Sequence, residues 1–400
     1  MKRVRTGWVV VVALLVVSAC GGAGASGQAP PRSPSAPAPT ASASSPAPTA
    51  TPTCVARVLD GMTEEQRVGQ LFHFGLAGNR LGPAETDAIR RYHLGSVWFT
   101  VSSTAGTAGT RAVADAVQAQ ATGGATAGVR FFVAANQEGG QIQALQGAGF
   151  SRMPAAVAQG GLPVADLERD AQGWGGELRA AGVNMDFAPV LDVVPPGTDA
   201  GNQPIGVLQR EYGHDPATAG GHGSAFLRGM QRAGVVTTVK HFPGLGRVQG
   251  NTDFTAGVVD GVTSPTDPYL QSFQDGIDAG APFVMVALAT YRLIDASQLA
   301  VFSPAVMRQL LRDRMHFQGV VVSDDIGSAV AVANIPPATR AIAFLSAGGD
   351  MIVAKTASAA VAMAEAVAAK AASDAGFRAR VADAATRVLQ AKQAAGLLPC

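Results

Sequence analysis

The feature that most constrains this chain is a succession of eight short apolar runs, each followed by a helical stretch. The runs are Leu71–Leu76, Gly95–Thr100, Phe131–Asn136, Val183–Pro189, Val235–Phe242, Phe283–Leu288, Gly319–Asp325 and Met351–Lys355. They are continuously apolar rather than alternating, so the strands they predict are buried on both faces, as in a parallel sheet. Helix signals stand between them. Thr63-Glu64-Glu65-Gln66 is a capping box. Asp215-Pro216 and Ser303-Pro304 each set a cap residue before a first-turn proline. Thr356 to Ala395 is an Ala-rich terminal helix with a break near Ser373–Gly376. Eight β-α units in about 345 residues predict an α/β fold, a (β/α)8 barrel forming a single catalytic domain over 54–400. A doubly wound open sheet fits the same periodicity. In a barrel, chemistry belongs at the C-terminal ends of strands. There the chain carries Asn136-Gln137-Glu138, Lys240-His241 and Asp324-Asp325. Any one of these alone reads as a solvated loop residue.

The N-terminal region has a different character. Lys2, Arg3 and Arg5 precede an apolar run, Trp8 to Val17, which ends in Val17-Ser18-Ala19-Cys20. So short a run is the core of an export signal rather than a membrane span. The small residues before Cys20 resemble a bacterial lipobox, in which the cysteine is lipidated; an ordinary secretory signal with a chance cysteine is the alternative. Residues 21–53 are almost entirely Gly, Ala, Ser, Thr and Pro and predict a disordered tether. Together these predict an exported protein, lipid-anchored to the outer face of the cell membrane. The other two of the three cysteines, Cys54 and Cys400, bracket the folded region. In an oxidising compartment they are expected to pair and tie the termini; two free thiols are the alternative.

Charge and motifs remove several classes of function. With 30 Lys+Arg against 29 Asp+Glu, the net charge is +1, which argues against a nucleic-acid partner. There is no G-x-S-x-G elbow, H-E-x-x-H or G-x-x-x-x-G-K-[ST] loop. The six histidines lack metal-ligand spacing, and no metal or organic cofactor is expected. What remains is carboxylate chemistry.

Five segments then align with one family. Lys240-His241-Phe242-Pro243-Gly244-Leu245-Gly246 is similar to the K-H-F-P-G-x-G signature of glycoside hydrolase family 3. Phe187-Ala188-Pro189-Val190-Leu191-Asp192-Val193 resembles its F-A-P-V-L-D-V strand and loop. Gln137-Glu138-Gly139-Gly140 resembles its D-x-E-G-G turn, Arg210 to Pro216 its R-S-F-G-x-D-P, and Gly319 to Asp325 its strand ending in S-D-D. Order and spacing match across about residues 60–360. The branch most resembled is that of the single-domain bacterial β-N-acetylglucosaminidases.

The resemblance implies retaining hydrolysis of a β-linked terminal sugar by a carboxylate nucleophile and a separate acid/base. Asp324 matches the nucleophile, against a simple helix N-cap, which Asp325 equally supplies. Lys240, His241 and Arg210 match sugar-binding residues, with Asp192 orienting these cations. The alternative for Arg210 is a surface salt bridge. Three departures bear on the site. The family's D-S-H acid/base triplet falls on Asn251-Thr252-Asp253, so Asp253 stands where the histidine is expected. It serves as general acid if its surroundings raise its pKa, and is otherwise a structural loop residue. The first aspartate of D-x-E-G-G is Asn136, still expected to bind sugar, and two downstream arginines are Gln141 and Ala144. Glu138 is read as stabilising its own turn through local backbone hydrogen bonds; the alternative, should Asp253 not be the acid, is a further carboxylate on the active face. The expected ligand is a small carbohydrate or muropeptide-like substrate, the expected state a monomer, and the expected activity that of a β-N-acetylhexosaminidase. A carbohydrate-binding lipoprotein on an impaired hydrolase scaffold, and a β-glycosidase for another sugar, are the alternatives.

Overall fold

The structure is a computed structural model, and it describes residues 53–400. The leader with Cys20, and all of the tether but Thr53, lie outside the described residues. Every one of the eight apolar runs contains a strand: β1 Phe72–Leu76, β2 Ser96–Phe99, β3 Phe132–Ala135, β4 Met185–Asp186, β5 Val236–Phe242, β6 Phe283–Val286, β7 Val320–Asp325 and β8 Met351–Ala354. They close into a barrel in chain order, with every neighbouring pair parallel and β8 bonded back to β1. Closure removes the open doubly wound sheet.

The lumen is packed. Phe132 of β3 and Phe283 of β6 are not on adjacent strands, yet their rings meet edge to face, 5.5 Å apart, across the N-terminal end of the barrel. Such layers of side chains make a (β/α)8 barrel a core rather than a pore. Strand β4 is shorter than its apolar run because the run ends in Ala188-Pro189, and proline has no N–H to donate to a ladder. Pairing resumes beyond it, where Leu191 N–H donates to the Lys240 carbonyl oxygen at 2.7 Å.

The expected helix signals act as caps. Thr63 and Gln66 form the reciprocal box. Asp215 accepts from the Thr218 N–H, and Ser303 Oγ from the Val306 N–H. The terminal helix divides at Asp374 into Ala357–Ser373 and Ala375–Ala394, and the Asp374 side chain caps the second segment. Cys54 and Cys400 are joined by a disulfide with their Cα atoms 6.0 Å apart. It lies beside a small apolar cluster of Val55, Val58, Met62, Val129 and Leu389, where the first helix packs beneath the barrel. No described helix is long and apolar enough to cross a membrane.

Candidate active site

At the C-terminal ends of the strands lies a cavity of about 430 Å³. All six residues expected from the sequence to act here line it: Asn136, Arg210, Lys240, His241, Asp253 and Asp324.

Lys240 and His241 are consecutive, and regular strand alternation would send them to opposite faces. Both reach the cavity because the β5–β6 register shifts between Val239 and Phe242. A bulge of this kind re-aims a side chain at the cost of ladder pairing. His241 Nδ1 donates to Asp192 Oδ2 at 2.7 Å, and Asp192 also accepts the backbone N–H groups of His241 and Leu245. Asp192 therefore sets the tautomer and fixes the loop that follows, so of the three cations it was expected to orient it bonds His241 alone. His241 Nε2 is left facing Arg210 Nη2 at 3.4 Å.

Glu138 departs from expectation. Its carboxylate does not stabilise its own turn. It accepts Nε and Nη2 of Arg210, both at 2.8 Å, and pairs with Lys240 Nζ at 2.6 Å. Burial pushes this carboxyl up, but the two cations overcome it and hold it at about 2. Lys240 Nζ also donates to Asn136 Oδ1 at 2.9 Å. Arg210 is thus neither on the surface nor in a surface salt bridge: its side chain is 13% exposed, and Nη1 donates to the Pro204 carbonyl oxygen. Below this network lies Asp186 of β4, which the sequence reading passed over. One oxygen accepts the Gln137 N–H at 2.9 Å and the other has no donor. Burial raises this carboxyl to about 7, against the pull of Gln137 and Lys240. A neutral acid there avoids a second buried negative charge beside Glu138.

The adjacent acids at the end of β7 divide their work. Asp325 Oδ1 accepts the N–H groups of Gly327, Ser328 and Lys355, so it is the turn-capping residue. Asp324 is left to face the cavity. Asp253 arrives from the long loop after β5. That loop is stitched to the segment after β7, where Val330 and Ala331 N–H groups donate to the Asp253 and Thr252 carbonyl oxygens. Burial, and next the charge of Asp324, raise the Asp253 carboxyl; Arg210, His241 and Lys355 oppose the shift. Asn251 does not support the Asp253 carboxyl. Its Oδ1 accepts the Asp253 backbone N–H at 3.0 Å, which shapes the turn. Neither Gln141 nor Ala144 lines the cavity, whereas Ile142 does. Of the lining residues that were not anticipated, two carry a charge or a large exposed ring. Lys355 follows β8 and obeys the same rule of a charged residue after an apolar strand. Phe254, next to Asp253, is 78% exposed at the rim, a large apolar ring with no core to enter.

A carboxylate at a strand tip, a second carboxyl with a raised pKa, and fixed cations suited to hydroxyl groups are parts from which a carbohydrate site can be built. Among curated proteins the chain is similar to a beta-hexosaminidase of Stenotrophomonas maltophilia K279a, at 34% identity over 232 residues, 55% of this chain and 66% of that protein. A beta-hexosaminidase of Xylella fastidiosa M23 is 36% identical over 230 residues, again 66% of its length. Among solved structures, a β-N-acetylhexosaminidase from Beutenbergia cavernae DSM 12333 superposes with a TM-score of 0.82 at 48% identity, covering 83% of this chain and 99% of that one. A family 3 β-N-acetylglucosaminidase from Paenibacillus sp. FPU-7 gives 0.75 at 27% identity, covering 84% and 63%. The family model for the glycosyl hydrolase family 3 N-terminal domain matches residues 63–391, and the chain belongs to that family of glycoside hydrolases.

Proposed function

We propose that this protein is an exo-acting, retaining β-N-acetylhexosaminidase that removes terminal sugars from cell-wall fragments. The observation that carries the reading is that Asp324 and Asp253 line one cavity, with Asp253 raised and the Glu138–Arg210–Lys240 cluster between strand ends. Asp324 attacks the anomeric carbon, a glycosyl ester forms, and the bond to the leaving oxygen breaks as Asp253 gives that oxygen its proton. Asp253 then takes a proton from water, the hydroxyl adds to the anomeric carbon, and the Asp324 carboxylate is released. Lys240 and Arg210 hold the sugar hydroxyls from one side.

The test uses aryl β-N-acetylglucosaminides with poor and with activated leaving groups. Asp324→Asn loses turnover by roughly 10⁴-fold on both. Asp253→Asn loses about 10²–10⁴-fold on the poor leaving group and recovers on the activated one. The raised acid must be protonated to act, so wild-type kcat/KM falls as pH rises through the Asp253 pKa, above the ordinary aspartate range, and Asp253→Asn lacks that limb. Wild-type turnover by Asp324→Asn sinks the mechanism. Sugar binding with no hydrolysis by the wild type favours the alternative of a binding lipoprotein.

The export leader and Cys20 support a lipid anchor on the outer face of the cell membrane, with the tether holding the barrel clear of it. In cells fed labelled palmitate, the wild type takes up label and Cys20→Ala does not; equal labelling removes the anchor.

A further inference from the structure

The histidines carry no metal-binding spacing, yet the fold assembles a mixed ligand set from side chains that are scattered in sequence. Between β4 and the helix Pro216–Arg232 the chain makes a long excursion, and two parts of it meet. Asp199 starts the short turn Asp199–Gly201, while Glu211 and His214 follow Arg210. One donor atom from each of Asp199, Glu211 and His214 lies within 4.8 Å of the others. His214 Nδ1 is 3.7 Å from Asp199 Oδ1 and 3.1 Å from the Val194 carbonyl oxygen.

Glu211 is the observation that asks for a ligand. It is 1% exposed, and its Oε2 has no hydrogen-bond partner. A buried carboxylate oxygen without a partner is costly, and here it belongs to a group whose donor atoms converge. Asp199 and His214 have side chains 37% and 41% exposed, so the group is open to solvent on one side while Glu211 closes the other.

We propose that Asp199, Glu211 and His214 bind one divalent cation of the zinc class, with solvent water completing its coordination. The donor set selects the class. Calcium and magnesium favour shells made of oxygen alone, whereas an imidazole beside two carboxylates suits zinc. A bound ion supplies the missing partner of Glu211 Oε2. None of the three residues lines the sugar cavity, so the ion takes no part in the chemistry. Its consequence is positional. Glu211 directly follows Arg210, whose guanidinium holds Glu138, and the ion pins the segment that presents Arg210. That consequence rests on the proposed hydrolase reading; the binding itself does not.

The test is calorimetric titration of zinc chloride into the chelator-treated, dialysed full chain in detergent, with thermal melting in parallel. The wild type is expected to take up one equivalent at this site and to melt higher in zinc, because an ion that binds only the folded state stabilises it. Magnesium or calcium at the same concentration is expected to leave the melting temperature unmoved. Glu211→Gln and His214→Ala are expected to weaken binding roughly 100-fold, while Asp253→Asn and Asp324→Asn bind as the wild type does. His214 is partly exposed, so its variant decides the matter if Glu211→Gln fails to fold. The proposal is overturned if the wild type takes up no zinc, if His214→Ala binds with wild-type affinity, or if uptake is lost only in the Asp253 and Asp324 variants, which would place the ion in the sugar cavity. Loss of turnover in the aryl glycoside assay with zinc binding intact would instead overturn the hydrolase reading alone.

Discussion

Glu138 shows how much of the site depends on a single buried charge. It is 4% exposed and accepts from two cations that are themselves largely buried. Glu138→Gln keeps the shape but leaves Arg210 and Lys240 without a countercharge, and breaking a buried pair in this way costs about 3–5 kcal/mol. The pH dependence has a definite sign. The folded-state pKa of Glu138, about 2, lies below the ordinary value of 4.5, so its stabilisation is fully present above the ordinary value and is lost as pH falls toward 2. The stability gap between wild type and Glu138→Gln, read from urea unfolding, is therefore expected to be wide at pH 7 and narrower at pH 3. Equal midpoints at pH 7 would contradict the role. Sequence reasoning missed this role for a physical reason. Local backbone bonds are the default partners of a carboxylate in a glycine turn, and nothing in the segment reveals an arginine 72 positions on. Asp325 was simpler to anticipate, because two of the three N–H groups it accepts, those of Gly327 and Ser328, are its near neighbours.

At the scale of the element, what the chain hides is the irregularity. Continuous apolarity was enough to locate all eight strands, since burial on both faces demands it. It carried no sign of the β5 register shift that turns both Lys240 and His241 to the cavity. Nor did it show the contacts of the β5 loop with the segment after β7, which bring Asp253 near Asp324. That loop leaves β5 through glycines, and their reasons differ. Gly244 has φ +130°, a conformation other residues rarely adopt, whereas Gly246 is needed for space. A Cβ at Gly246 would sit 1.9 Å from the Val193 carbonyl oxygen, against backbone that is buried and cannot yield. Gly246→Ala is accordingly expected to displace the loop that carries Asp253. The measurement is kcat on the poor leaving group, expected to fall at least about 10-fold while the activated substrate suffers less, since misplacing an acid acts through leaving-group protonation. An equal loss on both substrates would point to general unfolding rather than to the loop.

For the whole molecule, the two ends of the barrel separate stability from chemistry. The cavity opens at the C-terminal ends of the strands. The two ends of the described segment meet at the other end, where Cys54 and Cys400 close a loop with a sequence separation of 346. The terminal helix is held there by more than the disulfide: Lys392, fully buried, donates to Gln70 Oε1 and to the Gly95 carbonyl oxygen, both at 2.7 Å. Removing the cross-link therefore leaves the folded state nearly as it was and acts chiefly on the unfolded chain, which regains the freedom of a very long loop. A contribution of about 2–4 kcal/mol is usual for such a bond. For a chain of this size that amounts to a melting temperature lower by several degrees, at roughly 2 °C per kcal/mol. The Cys54→Ser, Cys400→Ser double variant, and the wild type under reductant, are both expected to melt lower by that amount. At 25 °C both are expected to keep kcat/KM within about twofold, because no residue of the disulfide end lines the cavity. Melting curves and initial rates on the same samples check both halves. A loss of rate at 25 °C as large as that of the Asp253 variants would mean that the termini govern the geometry of the site, and the separation of the two ends would fail.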